Sequence, residues 1–420
     1  MQVVRRLRDI KGSFAYESGF LVVATVVGNT LGWVYHIFVA RMLGVELFGL
    51  FGALVGLFYV AMLGGGAFRI EVAAVTARLA AQQGEGEAVA AFVRMGKKFF
   101  LVFLVPLVLF IIFARPIASF FHTDSTGVII VVGFTIFGTL LFMVALGFLQ
   151  GLQKFRHLAY IGYVLPPGIK LLAGVVLVLA GLKLLGALTA VVLAEFTGLV
   201  VAMFPWRKRF AHAIKSKSAT DTSVFRLVLP GLVLAFFIAA PTNLDVPLVV
   251  HFFSAGDSGI YTCAATFGKI IVFLPIGVSL VMLPMVAEKQ ALKMPTRDLA
   301  LQGLLFTFAL CAVATLVCWL FPEFFINLFF GGSYLGAAEL LSWYSAAMLV
   351  FALNLFLVQY AIAVGKRQYI FISGLATLVI ILTISFGPGT LHQVIKVMLI
   401  GNLVLLLLCS PLLIKKSFSD

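Results

Sequence analysis

Residues 39–54 read VARMLGVELFGLFGAL, and residues 249–264 read VVHFFSAGDSGIYTCA. Each stretch lies where one long apolar run ends and the next one begins. A shift of 210 residues, half the length of the 420-residue chain, places Gly49 on Gly259, Phe51 on Tyr261 and Ala53 on Cys263. The two stretches therefore indicate that the chain is a duplication of one apolar unit.

Apolar residues set the class of protein. Hydrophobic residues make up 62% of the chain, charged residues make up only 11%, and the mean hydropathy is +1.15. A soluble domain has about a quarter of its residues charged. Several runs exceed the ~18 apolar residues that a helix needs to cross a hydrocarbon core. The composition predicts an all-α, multi-pass membrane protein.

The apolar runs and the polar segments between them predict twelve transmembrane helices in two lobes of six. They cover residues 14–40, 47–69, 99–121, 128–150, 158–181, 184–204, 226–252, 259–286, 299–321, 336–363, 368–386 and 392–414. A basic cytoplasmic linker at 206–224 separates an N-terminal lobe, 1–205, from a C-terminal lobe, 225–420. We interpret this linker as a solvated loop that faces lipid headgroups.

The positions of the basic residues predict the orientation. Most of the 30 Lys and Arg residues fall in loops that share one side of the membrane when the N-terminus is cytoplasmic. Cytoplasmic loops carry this excess. The short basic clusters therefore explain the net charge of +14 without a nucleic-acid partner, and both termini are expected in the cytoplasm.

Further pairs of equivalent residues extend the repeat along the chain. Lys154 corresponds to Lys366 at a shift of 212, and Pro116 corresponds to Pro322 at a shift of 206. Each shift covers six predicted crossings, so the two halves keep the same orientation. Such halves are related by a pseudo-two-fold axis along the membrane normal. This arrangement is typical of a transporter whose substrate path runs between two lobes.

Two motifs at half-chain spacing carry a family resemblance. ARMLGVELFGLFGAL (40–54) and LDVPLVVHFFSAGDSGIYTCAATFGKIIVFLPIGVSLVMLP (244–284) resemble the paired signatures of polysaccharide-export flippases. These flippases belong to the multidrug/oligosaccharidyl-lipid/polysaccharide exporter superfamily. The resemblance implies a MATE-like fold, and it implies that both stretches are outer gates.

The same resemblance implies a function and partners. An O-antigen-type flippase of this kind moves an isoprenoid-diphosphate-linked oligosaccharide from the inner to the outer leaflet of the inner (plasma) membrane by alternating access. Membrane lipid, a polysaccharide polymerase and glycosyltransferases are the implied partners. A cation-coupled multidrug exporter of the same superfamily is the alternative. That branch is expected to carry an aspartate in its first helix, where this chain has only Glu17.

Four charged residues inside the predicted membrane segments are the first candidates for a site. Lys170 and Glu195 lie on predicted helices five and six, and Asp245 and Lys269 lie on helices seven and eight. The depths within each pair differ by ~0–5 Å at 1.5 Å per residue. Such charges are costly in a membrane unless they are paired or hydrated. Two interpretations stay open: structural salt bridges within each lobe, or lysines that bind substrate beside carboxylates that couple to an ion.

The implied diphosphate needs cations, because its charge would be prohibitive in a low-dielectric cleft. Arg41, Lys170 and Lys269 are the candidates that lie away from the cytoplasmic loops. A polar stripe on the first helix is the candidate for contact with sugar hydroxyls, with Thr25 and Asn29 at its centre. Its members share one helical face: Ser18, Thr25, Asn29, Gly32 and His36.

Enzyme chemistry is not indicated. The sequence has no metal-ligand spacing, no nucleophile motif and no phosphate-binding glycine loop after a strand. The four cysteines lie inside apolar segments and form no CxxC pair, which favours small core residues over a disulfide or metal role. Neither a cofactor nor a metal is expected.

Overall fold

The computed structural model describes residues 2–213, 232, 236, 240, 242–292, 294–366, 368–387 and 389–414. All regular structure within these ranges is helical. The first half of the chain contains α1 (Gln2–Gln83), α2 (Glu85–Ile112), α3 (Ala114–Phe120), α4 (Thr126–Gly151), α5 (Phe155–Ala159), α6 (Leu165–Leu177), α7 (Lys183–Met203) and α8 (Arg207–Ala213). Two π-helical turns, Tyr160–Val164 and Val178–Leu182, flank α6.

The second half is also helical, and the first of its described helices are short. Its described helices are α9 (Asp245–Phe252), α10 (Ala255–Gly268), α11 (Ile270–Phe273), α12 (Ile276–Ala291), α13 (Arg297–Leu320), α14 (Pro322–Phe329), α15 (Ala337–Ala363), α16 (Gln368–Ser385), α17 (Leu391–Cys409) and α18 (Pro411–Ile414).

The helices confirm the predicted class of an all-α membrane protein. In the part of the chain that the structure describes, eight helical segments are long and apolar enough to cross a membrane. Two of them, Gly19–Gln83 with 65 residues and Phe155–Ala211 with 57, far exceed the ~20 residues of one crossing. A glycine breaks each of these: Gly44 at φ 75° and Gly181 at φ 91°.

The number of twelve crossings stays a prediction. About half of the predicted span 226–252 lies outside the described residues, as does the predicted linker from residue 214 onward. The helix that holds the second predicted span, 47–69, continues beyond it, since α1 ends at Gln83.

The chain forms two compact units. The first unit comprises Met1–Leu43 and Phe58–Ala235, and the second comprises Gly44–Leu57 and Phe236–Asp420. The residues that follow the break at Gly44 thus belong to the second unit, although they come from the first half of the sequence. Gly44 allows this break because glycine adopts a positive φ without steric cost.

Glycine and phenylalanine set the packing of the first unit. On α4, a Cβ at Gly138 would lie 2.9 Å from the Phe196 ring of α7. Conversely, a Cβ at Gly198 of α7 would lie 2.8 Å from the Phe142 ring of α4. Small residues let membrane helices approach closely, because association there depends on van der Waals contact. The two helices therefore interlock through a reciprocal pair of contacts.

Aromatic side chains and buried amides hold the second unit. Phe48 lies with its ring centroid 6.1 Å from that of Phe330 and 5.9 Å from that of Tyr334. Asn354 of α15 donates its amide hydrogens to the carbonyl oxygen and side-chain oxygen of Asn402 of α17, at 2.8 and 3.3 Å. Both asparagines are buried, so each needs these partners in an apolar surrounding.

Candidate functional site

Lys170 is a candidate cation that belongs to the first unit. It lies on α6, just after Pro166 and Pro167, in a region where a π-helical turn has already interrupted regular helix. Its Nζ lies 4.9 Å from the centroid of the Tyr35 ring. An ammonium over an aromatic face is attracted by the ring quadrupole. The Tyr35 hydroxyl donates to the Ala187 carbonyl at 2.6 Å, which fixes the ring that supports the lysine.

The polar stripe on the first helix comes close to Lys170 at Gly32. A Cβ at Gly32 would lie 3.9 Å from Lys170 Nζ. His36, one turn further, forms a hydrogen bond between its Nε2 and the Tyr59 hydroxyl at 3.3 Å. Thr25 instead donates to the Leu21 carbonyl of its own helix at 2.8 Å, and Asn29 is exposed. The side chain of Ser18 lies outside the described side chains.

Glu195 lies near Lys170 without a direct contact between their charged groups in the described structure. The glutamate, on α7, is 9% exposed and lies beside Thr139 and within electrostatic range of Lys170 and Tyr59. Among the described residues, no direct ion pair joins Glu195 to Lys170. The Oε2 atom of the carboxylate is buried without a hydrogen-bond partner in the described part of the chain. The first unit therefore holds an ammonium and a carboxylate that are near each other but not bonded.

In the second unit, three groups donate to the carboxylate of Asp245. Lys269 Nζ lies 3.3 Å from Oδ1, and the hydroxyls of Tyr344 and Tyr261 donate to Oδ2 at 2.7 and 3.3 Å. The aspartate side chain is 1% exposed, whereas that of Lys269 is 21% exposed. A salt bridge, one of the two interpretations left open for Asp245 and Lys269, is therefore present. A carboxylate with three donors is well satisfied at such depth.

Arg41 belongs to the first unit, where it is exposed and lies three residues before the break at Gly44. The structure thus gathers Lys170 and Glu195 into one cluster and Asp245 and Lys269 into another. Sequence reasoning missed the tyrosines at both. Their signal was a phenol inside an apolar run, since a buried tyrosine hydroxyl usually finds a partner: Tyr35, Tyr59, Tyr261 and Tyr344.

Comparison with known proteins gives the family. The family model for "Polysaccharide biosynthesis protein" matches residues 15–290, which is more than half of the chain. The chain belongs to this family. The match spans both of the stretches quoted first and both charged clusters, and it confirms the expected polysaccharide branch. None of the curated proteins matches the chain.

Solved structures of low sequence identity share the fold. A multidrug resistance MATE family transporter of the MOP superfamily, in an inward-facing conformation, is 13% identical with a TM-score of 0.75; the match covers 95% of this chain and 100% of that one. The lipid II flippase MurJ, in an inward closed conformation, is 15% identical with a TM-score of 0.72, covering 94% and 87%. A MOP superfamily transporter from Pyrococcus furiosus is 13% identical with a TM-score of 0.66, covering 96% of each chain. The MATE-like fold is thereby confirmed.

Proposed function

We propose that this family member flips an isoprenoid-diphosphate-linked oligosaccharide from the inner to the outer leaflet by alternating access. The family match and the MATE-like fold support a transporter in polysaccharide biosynthesis. The resemblance of the chain to polysaccharide-export flippases supports the lipid-linked substrate. MurJ, which has the same fold, is a flippase for lipid II.

One observation carries the proposal for the substrate headgroup. Lys170 belongs to a helical segment that is long and apolar enough to cross a membrane, its ammonium lies over an aromatic ring, and no carboxylate of the described residues bonds to it directly. A cation at such depth is costly unless an anion or water compensates it. A diphosphate supplies that compensation, and the ring holds the ammonium in place before the substrate arrives. Lys170 is therefore the proposed primary phosphate ligand.

Arg41 and Lys269 are the proposed secondary cations. Arg41 lies near the end of the first apolar segment and can form a bidentate contact with phosphate, which lysine cannot. Lys269 is one-fifth exposed although it bonds to Asp245, so a substrate phosphate can reach its ammonium. Thr25 and Asn29 lie on the same helix as Tyr35 and are the proposed contacts for sugar hydroxyls.

The two carboxylates have different proposed roles. Asp245 has three donors and therefore positions Lys269. Glu195 has a buried oxygen without a hydrogen-bond partner in the described structure, so it is the proposed group for the coupling ion. A cation or a proton at this oxygen would remove the cost of an unsatisfied buried acceptor.

The cellular setting follows from the same proposal. The distribution of basic residues favours cytoplasmic termini in the inner (plasma) membrane. A polysaccharide polymerase and glycosyltransferases are the proposed partners, because the substrate must be assembled on one side and polymerised on the other. The protein is proposed to act as a transporter without catalysis of its own.

The experiment is reconstitution of the full chain into lipid vesicles. Translocation of an isoprenoid-diphosphate-linked oligosaccharide, read by a lectin or glycosidase added outside, is expected to exceed that of protein-free vesicles. A fluorescent cationic drug is the comparison substrate. Oligosaccharide movement without drug movement supports the proposal, and the reverse result overturns it.

The alternative is a cation-coupled multidrug exporter. The buried oxygen of Glu195 favours this reading, because cationic drugs and coupling ions both bind carboxylates. Under the alternative, Glu195→Gln abolishes drug export and Lys170→Ala leaves it intact. Under the flippase proposal, Lys170→Ala is the damaging substitution.

A further inference from the structure

A groove of about 680 Å³ lies on the second unit between α16 and α17. Its α16 side is formed by Val379 and Leu382, followed by Phe386 just after that helix. Its α17 side includes Gln393, Lys396 and Ile400. None of these residues belongs to the clusters around Lys170 or Asp245.

The groove is polar at one end. The Gly389 backbone N–H donates to Gln393 Oε1 at 2.7 Å, which fixes the amide and turns its nitrogen away from that contact. Thr390 caps the helix by accepting from the Gln393 N–H at 3.3 Å. Lys396 follows three residues later and lies on the same helical face. Two donor groups, the Gln393 amide nitrogen and the Lys396 ammonium, therefore face one end of the groove.

The other end is apolar. Val379 and Leu382 are 53% and 44% exposed, and Ile400 is 59% exposed. Large apolar side chains with this exposure are expected where a membrane helix contacts hydrocarbon. Because α16 and α17 run in opposite directions from their short connection, Val379 and Ile400 lie further from that connection than Gln393 and Lys396. The groove thus has a cationic end and an apolar end.

Lys396 supplies the charge at the polar end of the groove. No carboxylate of the described residues forms an ion pair with it, and the side chain is exposed. The residue lies six positions into the helix, about 9 Å from the Thr390 cap at 1.5 Å per residue. Lysine can extend its stem along apolar surface and place the ammonium at the interface. At that level, the anions available are lipid phosphates.

We propose that this groove binds an anionic phospholipid. Its phosphate accepts hydrogen bonds from Lys396 Nζ and the Gln393 amide nitrogen, and one acyl chain lies between Val379 and Ile400. The charge of Lys396 selects an anionic headgroup, whereas the apolar end of the groove accepts any chain. This site goes beyond the proposed transport function and does not depend on it.

Native mass spectrometry of the purified full-length protein tests the site. Phosphatidylglycerol or phosphatidylcholine is added to the delipidated protein, and the bound fraction of each is measured. Wild type is expected to retain phosphatidylglycerol preferentially. Lys396→Gln is expected to weaken that retention about fivefold, because one lysine contributes about 1 kcal/mol at an anionic surface. Lys396→Arg keeps the charge and is expected to restore the preference.

Lys183→Gln is the matched control, since Lys183 is an exposed lysine outside the groove. It is expected to retain phosphatidylglycerol as wild type does. Val379→Trp fills the apolar end and is expected to reduce retention of both lipids. Equal loss in the Lys183 variant, or no loss in Lys396→Gln, overturns the site. Displacement of phosphatidylglycerol by a lipid-linked oligosaccharide at equal concentration overturns the assignment to a phospholipid.

Discussion

Gly49 packs directly against Gly259, its counterpart in the repeat. A Cβ on Gly49 would lie 2.8 Å from the Gly259 backbone nitrogen and 3.1 Å from its Cα. Both glycines belong to the second unit, because Gly44–Leu57 packs there. The equivalent stretches that the sequence repeats are therefore in contact with each other, backbone to backbone, with no room for a side chain between them.

Gly49→Ala is expected to destabilise the protein by about 1–3 kcal/mol, because an added methyl group must displace backbone. Gly256→Ala is the matched control. A Cβ at Gly256 meets nothing within 4 Å, so the same chemical change is expected to stay within about 0.5 kcal/mol. Thermal unfolding in detergent measures both. Equal melting of the two variants would contradict the close approach.

The sequence predicted the apolar class, most helix positions and the family, and it offered an Asp245–Lys269 salt bridge as one of two interpretations. It did so because hydropathy, loop charge and charge depth are all local properties of the chain. It did not predict that Gly49 meets Gly259, since two equivalent stretches carry no signal of mutual contact. It also missed the tyrosines around Asp245, because their partners come from distant helices: Tyr344 is 99 residues away in sequence.

The aspartate cluster makes a second prediction. Tyr344→Phe is expected to cost about 1.5–3 kcal/mol, the range for a hydrogen bond to a charged group. Tyr160→Phe is the control, because Tyr160 is 54% exposed and loses no described partner. Unfolding of the two variants is compared in detergent. A Tyr344 variant as stable as the Tyr160 variant would remove the phenol from the network.

The Asp245–Lys269 ion pair makes a third prediction. Lys269→Met alone leaves a buried carboxylate without its cation, which is expected to cost about 3–5 kcal/mol. The double variant Lys269→Met, Asp245→Leu removes both charges and is expected to recover most of that loss. A double-mutant cycle measures the coupling. Additive losses would show that the two groups do not stabilise each other.

Labelling of introduced cysteines tests the proposed orientation. Gln82 and Ala255 are exposed, whereas the four native cysteines are buried. Labelling of the wild-type protein therefore gives the background signal. An impermeant thiol reagent on intact cells is expected to label Ala255→Cys and to spare Gln82→Cys until the membrane is opened. Labelling of both on intact cells would refute the orientation that the basic loops favour.

The most direct test of the account is transport by Lys170 variants in vesicles. The account predicts that Lys170→Ala lowers translocation of an isoprenoid-diphosphate-linked oligosaccharide about thirtyfold or more, since removing a desolvated charge partner costs 2–5 kcal/mol. Lys170→Arg, which keeps the charge, is expected to retain part of the activity, and Lys183→Ala to retain all of it. Wild-type translocation by Lys170→Ala would contradict the assignment of Lys170 as the phosphate ligand.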